Sequence, residues 1–427
     1  MKNFKSIIAV VLTILLLLSL LAGCTELSKK SASDNTEVVE ETTVVEEAKA
    51  EADKTDKGDK KSKEKSEDLI PEPIYGPEDY EISEELVYAG SEEIKYATEF
   101  RIDHFEGGYE LITSKGIYRY LVVPADQVVP ADLPEDVEVI QLGESRTYLA
   151  ATAMIDMYRA VGALDEVKYC SLTEDRIHID EAREAMAEGN LVFTGRSSAP
   201  DYEFLLADGC NLAVFNSNIY RNPQVRERFI DLGIPVFVEF SSYETKPLGR
   251  PEWVLAIGAL TGRLEEAREA FAKASENFSD EPAEATGKRI AFFHISSDGS
   301  VNVRKSADIM VKLFHLAGAE YIFDDLGEPD DSTKTMTNVQ MEEFYARAKD
   351  ADILIYNAAI ADELHSLQEF VNLSPHLKDL KAVSTGEVYC TYKRLYQESM
   401  GVAKLLEEIK AILSGESEGL HYIYKLK

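Results

Sequence analysis

Pro247-Leu248-Gly249-Arg250-Pro251-Glu252-Trp253 opens the stretch that decides how this chain is read. From Glu252 to about Phe278 the residues Trp253, Leu255, Ala256, Leu260, Leu264, Ala267, Ala270 and Phe271 recur at helical spacing. Pro251 suits a first helical turn, where its missing N–H removes no bond. The pattern predicts one gapless amphipathic helix of about 27 residues, roughly 40 Å long at the α-helical rise. That is more than a single α/β crossover needs. Arg250 and Trp253 are expected to pack the start of this helix. A stiff connector of this kind would restrict the parts it joins to small rotations.

On both sides of it, short apolar runs alternate with helical periods, which argues an α/β fold. Before it, strands are expected at Tyr120–Val123, Val137–Leu142, Leu191–Thr194, Leu212–Phe215 and Pro235–Phe240. Helices are expected to start near Tyr148, Ile179, Pro200 and Pro223. After a Ser/Asp/Glu/Pro-rich loop at 279–287 the rhythm restarts, with strands at Arg289–Ile295, Tyr321–Phe323, Ile353–Tyr356 and near Val388. The matching helices are Ser306–Leu316, Met341–Lys349, Leu364–Val371 and Gln397–Leu413. The organisation is thus an N-terminal lobe at 86–250, a helix at 251–278 and a C-terminal lobe at 279–427.

The N-terminus has Lys2 and Lys5 ahead of an apolar run from Ile7 to Leu21, the layout of a secretory signal. The run is short for a bilayer-spanning helix, which needs about 20 apolar residues. It ends in Leu21-Ala22-Gly23-Cys24, which resembles the bacterial lipobox. That resemblance implies removal of residues 1–23, lipid on Cys24 and a place on the extracytoplasmic side of the cell membrane. Residues 24–85 are rich in Glu, Lys, Asp, Ser and Thr, and read as a disordered tether. Its most polar part, about 50 residues, would reach roughly 40 Å as a flexible coil.

Cys170, Cys210 and Cys390 are far apart and lack C-x-x-C spacing, so they read as small buried hydrophobes. The formal charge of -33 makes nucleic acid and anionic membrane surfaces poor partners. No G-x-S-x-G, Walker loop, G-x-G-x-x-G or tight acid/base pair points to catalysis, and the chain is read as a non-enzyme.

Further motifs repeat a known arrangement. Ser198-Ala199-Pro200-Asp201-Tyr202-Glu203 precedes Asn211-Leu212-Ala213-Val214, and Ser241-Ser242-Tyr243-Glu244 precedes the Pro247–Trp253 block. In the second half stand Val301-Asn302-Val303-Arg304, Met341-Glu342-Glu343-Phe344-Tyr345 before Ala351-Asp352-Ile353-Leu354, and Leu380-Lys381-Ala382-Val383 before Gly386-Glu387-Val388-Tyr389. Together they resemble the iron-chelate and cobalamin substrate-binding lipoproteins of ABC importers, the helical-backbone class III group, with Asn211 where that family usually has Asp. The resemblance implies two Rossmann-like lobes joined by one long inter-lobe helix. It further implies a siderophore, haem or cobalamin-like ligand between the lobes, and delivery by a monomer to a permease dimer with its ATPase. No covalent cofactor beyond the Cys24 lipid is expected. A glutamate on each lobe docks on the permease in that family, and Glu203 and Glu343 stand at the matching positions, with Glu342 one residue off. Candidate ligand contacts at strand ends are Arg146, Tyr148, Arg196, Asn216, Tyr220, Tyr243, His294 and Arg304. Arginine suits anionic chelates through its planar fork, and tyrosine offers a flat face with a polar tip. A receptor for a bare transition-metal ion, and a chelatase-like enzyme on a related two-lobed scaffold, are the alternatives.

Overall fold

The computed structural model describes residues 70–328 and 335–427. Cys24, the signal segment and the tether up to residue 69 lie outside the described residues. Among the described residues no helix is long and apolar enough to cross a membrane.

The chain first builds a five-stranded mixed sheet from β1 (Tyr88–Ser91), β2 (Phe100–Phe105), β3 (Tyr109–Ser114), β4 (Tyr118–Val123) and β5 (Val137–Gln141) in that order. One face, with Phe100, Ile102, Ile112, Tyr120 and Val122, joins the main core of the first lobe. The other face forms a small core of Ile82, Phe105, Leu111, Leu121, Val123 and Val137. Residues 70–85, assigned to the tether on composition, are seated on this sheet instead. Ile82 is 3% exposed, Tyr75 N–H donates to Gly116 O at 2.9 Å, and the Arg119 guanidinium lies 4.1 Å from the Tyr75 ring. A few apolar anchors are enough to order an otherwise polar segment.

The second sheet is parallel: β6 (Thr147–Leu149), β7 (Val167–Cys170), β8 (Val192–Phe193), β11 (Leu212–Asn216) and β12 (Val236–Glu239), in the order β12-β11-β6-β7-β8. A ribbon of β9 (Gly195–Arg196) and β10 (Ala199–Pro200) lies in the loop after β8. Helices α1 (Met154–Ala160), α2 (Asp180–Ala187), α3 (Tyr202–Ala207) and α4 (Pro223–Asp231) alternate with the strands. An unpaired edge strand invites wrong partners. Here the mixed sheet satisfies the edge of β12: Val238 N–H donates to the Tyr120 hydroxyl at 3.1 Å, and Tyr120 donates to Val236 O at 3.0 Å. Val236 N–H donates to Glu138 at 2.8 Å.

The predicted long helix is not continuous. The segment forms α5 (Gly249–Glu252), α6 (Val254–Thr261) and α7 (Leu264–Ala274). Gly262, at φ +67°, caps α6 in the left-handed conformation that glycine adopts without strain. The chain then turns back, so that α7 packs on α6. Every residue of α6 from Val254 to Leu260 is buried, and Ala267, Ala270 and Phe271 of α7 join the same first-lobe core. Both helices therefore belong to the first lobe. The link to the second lobe is residues 275–288, which hold neither helix nor strand. A Cβ on Gly258 would come 2.4 Å from Ala267 Cβ and 3.0 Å from Arg263 O. Gly258→Ala is expected to lower the unfolding free energy by about 1–3 kcal/mol, the usual cost of overpacking. A urea melt matching the native protein's would contradict this close approach.

The second lobe has its own core, running from Ile290 to Leu426. Its sheet comprises β13 (Arg289–Ile295), β14 (Val301–Arg304), β15 (Glu320–Tyr321), β16 (Met336–Val339), β17 (Ile353–Tyr356), β18 (Val388–Thr391) and β19 (Ile423–Lys425). The order is β16-β14-β13-β17-β18-β19, with β15 pairing beside β13. Helices α8 (Ile309–Leu316), α9 (Met341–Ala348), α10 (Leu367–Asn372), α11 (Lys381–Thr385) and α12 (Val402–Ser414) complete it. Cys170, Cys210 and Cys390 are buried, and burial pushes the Cys210 thiol up to about 11.

Candidate functional site

A cavity of about 300 Å3 is lined by residues of both lobes. The first lobe contributes Asn216, Tyr220, Arg221, Glu239, Tyr243 and Arg250. Asn216 and Glu239 are the last residues of the parallel strands β11 and β12, so the cavity opens at the strand C-termini, the usual crevice of such sheets. The second lobe contributes Arg304 from the end of β14, Asp308 at the cap of α8, and Tyr396.

Arginines 221, 250 and 304 all face this space. Burial lowers the pKa of both Arg221 and Arg250, because a charged guanidinium loses hydration there. Arg250 Nε is buried with no hydrogen-bond partner among the described residues. Its terminal nitrogen makes only a long 3.5 Å bond to Ser242 O. Arg304 is better held: it donates to the Tyr396 hydroxyl at 3.0 Å, and its Nε lies 3.8 Å from Asp308. Glu239 is 3% exposed and accepts from Ser241 N–H at 2.6 Å, and burial raises its pKa. Tyr220, Tyr243 and Tyr396 add aromatic surface with polar tips. Positive, acidic and aromatic groups thus meet in one partly open cavity, which suits a ligand carrying both anionic oxygens and flat apolar parts.

Of the eight candidate ligand contacts, Asn216, Tyr220, Tyr243 and Arg304 line the cavity. Arg146 does not. It precedes β6 and so sits at the opposite end of the sheet, where it donates to the Tyr169 hydroxyl at 3.0 Å and pairs with Asp208. Tyr148 lies within β6 and is fully buried, its ring 5.6 Å from Phe229 and 5.7 Å from Phe215. Both were expected near a helix start, but Thr147–Leu149 is a strand. Arg196 is exposed on the β9–β10 ribbon, away from the lining residues. His294 sits in β13 opposite Asn302 and is 7% exposed, outside the lining. Arg250, expected to pack the helix start, lines the cavity, whereas Trp253 does pack there. The Trp253 indole N–H donates to Glu244 at 2.8 Å, and its ring lies 4.7 Å from Phe100. Sequence reasoning missed Arg221, Glu239, Asp308 and Tyr396. Of these only Glu239 carried a signal, as a charge ending an apolar strand.

Burial, with the Arg304 charge second, depresses His294 to about 3 from 6.5. The unfolded chain then binds a proton that the folded chain refuses between those values, so this contribution is present above pH 6.5 and is lost as pH falls. The unfolding free energy of the native protein, minus that of His294→Gln, is expected to drop between pH 7 and pH 4. Parallel pH profiles for the two proteins would show that His294 is not held neutral.

No protein-family model matches the chain. It is 23% identical over 303 residues to an uncharacterized lipoprotein of Methanocaldococcus jannaschii, spanning 68% of this chain and 70% of that protein. A second uncharacterized lipoprotein of that organism is 21% identical over 359 residues, spanning 78% and 87%. Among solved structures, a periplasmic haem-binding protein of Vibrio cholerae is similar at TM-score 0.49 and 16% identity, over 64% of this chain and 98% of that one. A possible iron-binding periplasmic solute-binding protein of Staphylococcus epidermidis is similar at TM-score 0.49 and 14% identity, over 64% and 99%.

Proposed function

We propose that this protein is the solute-binding component of an ABC importer, tethered outside the cell membrane by lipid on Cys24. It captures a small anionic ligand between its lobes, an iron complex such as a siderophore or haem, or a cobalamin-like molecule, and delivers it to a permease. The observation that carries this reading is Arg250: a half-buried guanidinium whose Nε is buried with a donor to spare, in a cavity shared with Arg221 and Arg304. Burying such a group without an acceptor is costly, and an anionic ligand supplies one. The motifs at Glu203, Tyr243–Trp253 and Glu343 support the assignment, and the two lipoprotein relatives support the lipid tether.

The test is a thermal-shift screen of residues 70–427 against ferric siderophores, haem, cobalamins and free divalent metals. A true ligand at one hundred times its dissociation constant adds about 2.7 kcal/mol to stability. Stabilisation by free metal ions alone would replace this reading with a bare-metal receptor, and chemical turnover of a ligand would replace it with an enzyme.

Glu203 and Glu343 are the proposed permease contacts. Glu203 is exposed in the first turn of α3, beside the exposed Phe204 and Leu206. Glu343 is exposed in the first turn of α9 and lies 3.4 Å from Arg347. Exposed ion pairs contribute about 0–1 kcal/mol each, so these residues set orientation and encounter rate more than affinity. Reversing both charges with lysine is expected to abolish stimulation of the importer's ATPase while ligand affinity is kept. Undiminished stimulation would remove them from the docking surface.

A further inference from the structure

With α6 and α7 folded onto the first lobe, no rigid rod sets the relation of the two lobes. We propose that residues 396–400 do so, and that Tyr396 is a positioning residue coupling the cavity to this inter-lobe latch. Five consecutive residues carry both functions. The Tyr396 hydroxyl accepts from Arg304 at 3.0 Å and from Asn357 Nδ2 at 2.9 Å, which fixes the second-lobe wall of the cavity. Gln397, 7% exposed, grips the first lobe with both ends of its amide. Its Nε2 donates to Arg176 O at 2.7 Å, and its Oε1 accepts from His178 N–H at 2.8 Å. Glu398 lines the cavity. Ser399 donates to Ala153 O at 2.8 Å. Met400 N–H donates at 2.8 Å to Asp156, a fully buried carboxylate that also pairs with Arg159, and the Met400 side chain packs on the first-lobe core.

Gly401 ends the latch where a side chain has no room, since a Cβ would fall 1.7 Å from the Tyr422 hydroxyl oxygen. Helix α12 starts at Val402 and is anchored in the second-lobe core through Leu405, Leu406 and Ile409. The latch is therefore held at one end by Tyr396 and at the other by a packed helix, and its middle is bolted to the first lobe. A ligand bound to Arg304 and Tyr396 stiffens the first of these anchors and so tightens the lobe contact. That last step rests on the proposed binding role; the latch itself does not.

Amide hydrogen exchange on the ligand-free protein tests the coupling, and it can fail or succeed independently of any ligand. The reporters are His178 N–H and Met400 N–H, whose acceptors are the latch partners Gln397 and Asp156. Tyr396→Phe keeps the ring and removes the hydroxyl. It is expected to speed exchange at both reporters by at least about threefold, because the bonds from Arg304 and Asn357 are both lost. The β17 amides Ile355 and Tyr356 serve as core controls and are expected to stay as they are. Gln397→Ala is expected to speed His178 further and to enlarge the radius of gyration in solution scattering. Unchanged reporters in Tyr396→Phe, or equal acceleration of the core controls, would overturn the coupling. Protection of His178 surviving in Gln397→Ala would overturn the latch.

Discussion

Glu252→Ala is expected to destabilise the protein by about 3–5 kcal/mol, the range for stripping a buried carboxylate from a bonded network. Glu252 is fully buried and accepts three backbone N–H groups in a row, from Lys95 at 2.8 Å, Tyr96 at 2.7 Å and Ala97 at 2.6 Å. Glu244 continues the run, accepting from Thr98 N–H at 2.7 Å and Glu99 N–H at 3.1 Å. Two carboxylates on either side of the Pro247–Arg250 turn thus hold the segment leading into β2. Glutamine is no remedy at 252. Both carboxylate oxygens accept, so an amide NH2 would face a donor in either orientation. Glu252→Gln is therefore expected to lose most of the same stability. Urea unfolding reads both variants, and a loss under about 1 kcal/mol in Glu252→Ala would show that the donors find other partners.

Arg250→Met is expected to weaken the ligand chosen by the thermal-shift screen at least thirtyfold, with little change in unfolding free energy. Removing one partner of a buried charge pair costs about 2–5 kcal/mol of binding, which is thirtyfold or more. Methionine retains most of the side-chain volume and does not need an acceptor. The apo protein then keeps its packing and gives up the unsatisfied Nε and one long bond to Ser242 O. Titration calorimetry separates the two effects. Unchanged affinity would mean that the ligand does not reach Arg250, and the reading of the cavity as an anion site would fall.

The α/β class was legible because strands such as Leu212–Asn216, Arg289–Ile295 and Ile353–Tyr356 carry apolar runs. The first hairpin was not, since β2 carries Arg101 and Asp103 on one face and His104 on the other, so neither face reads as wholly apolar. Asp103 is in fact fully buried, paired with Arg101 at 2.7 Å and bonded by Ser91 at 2.6 Å. β6 escaped notice at three residues. The long helix was over-read across Thr261-Gly262-Arg263, where an all-apolar pattern gives way to a charged amphipathic one. That change of character marked two helices with different surroundings. Asn216, Tyr220 and Tyr243 could be placed because they end or follow recognisable strands, whereas Arg304 ends a strand, Val301–Arg304, that the periodicity did not show. Arg221 and Tyr396 come from 3-10 turns, whose side-chain directions no repeat announces.

The shape of the connector changes how lobe motion is understood. A rod from 251 to 278 would have limited opening by its stiffness. The observed link at 275–288 holds neither helix nor strand, and side-chain contacts join the two lobes beside it. The residue 396–400 latch is joined by Lys312 of α8, whose ammonium donates to Thr245 O at 2.6 Å. Such contacts can be made and broken, which is compatible with the proposed role of a receptor that opens for loading and for release.

The ligand is proposed to sit between the lobes on the arginine-lined wall. A crystal structure of residues 70–427 grown with the ligand from the screen tests it most directly. The predicted result is density in the cavity, its anionic oxygens within hydrogen-bond distance of Arg250 and Arg304 and its flat part against Tyr243 or Tyr396. Ligand density on the outer surface of either lobe, with the cavity unfilled, would contradict it.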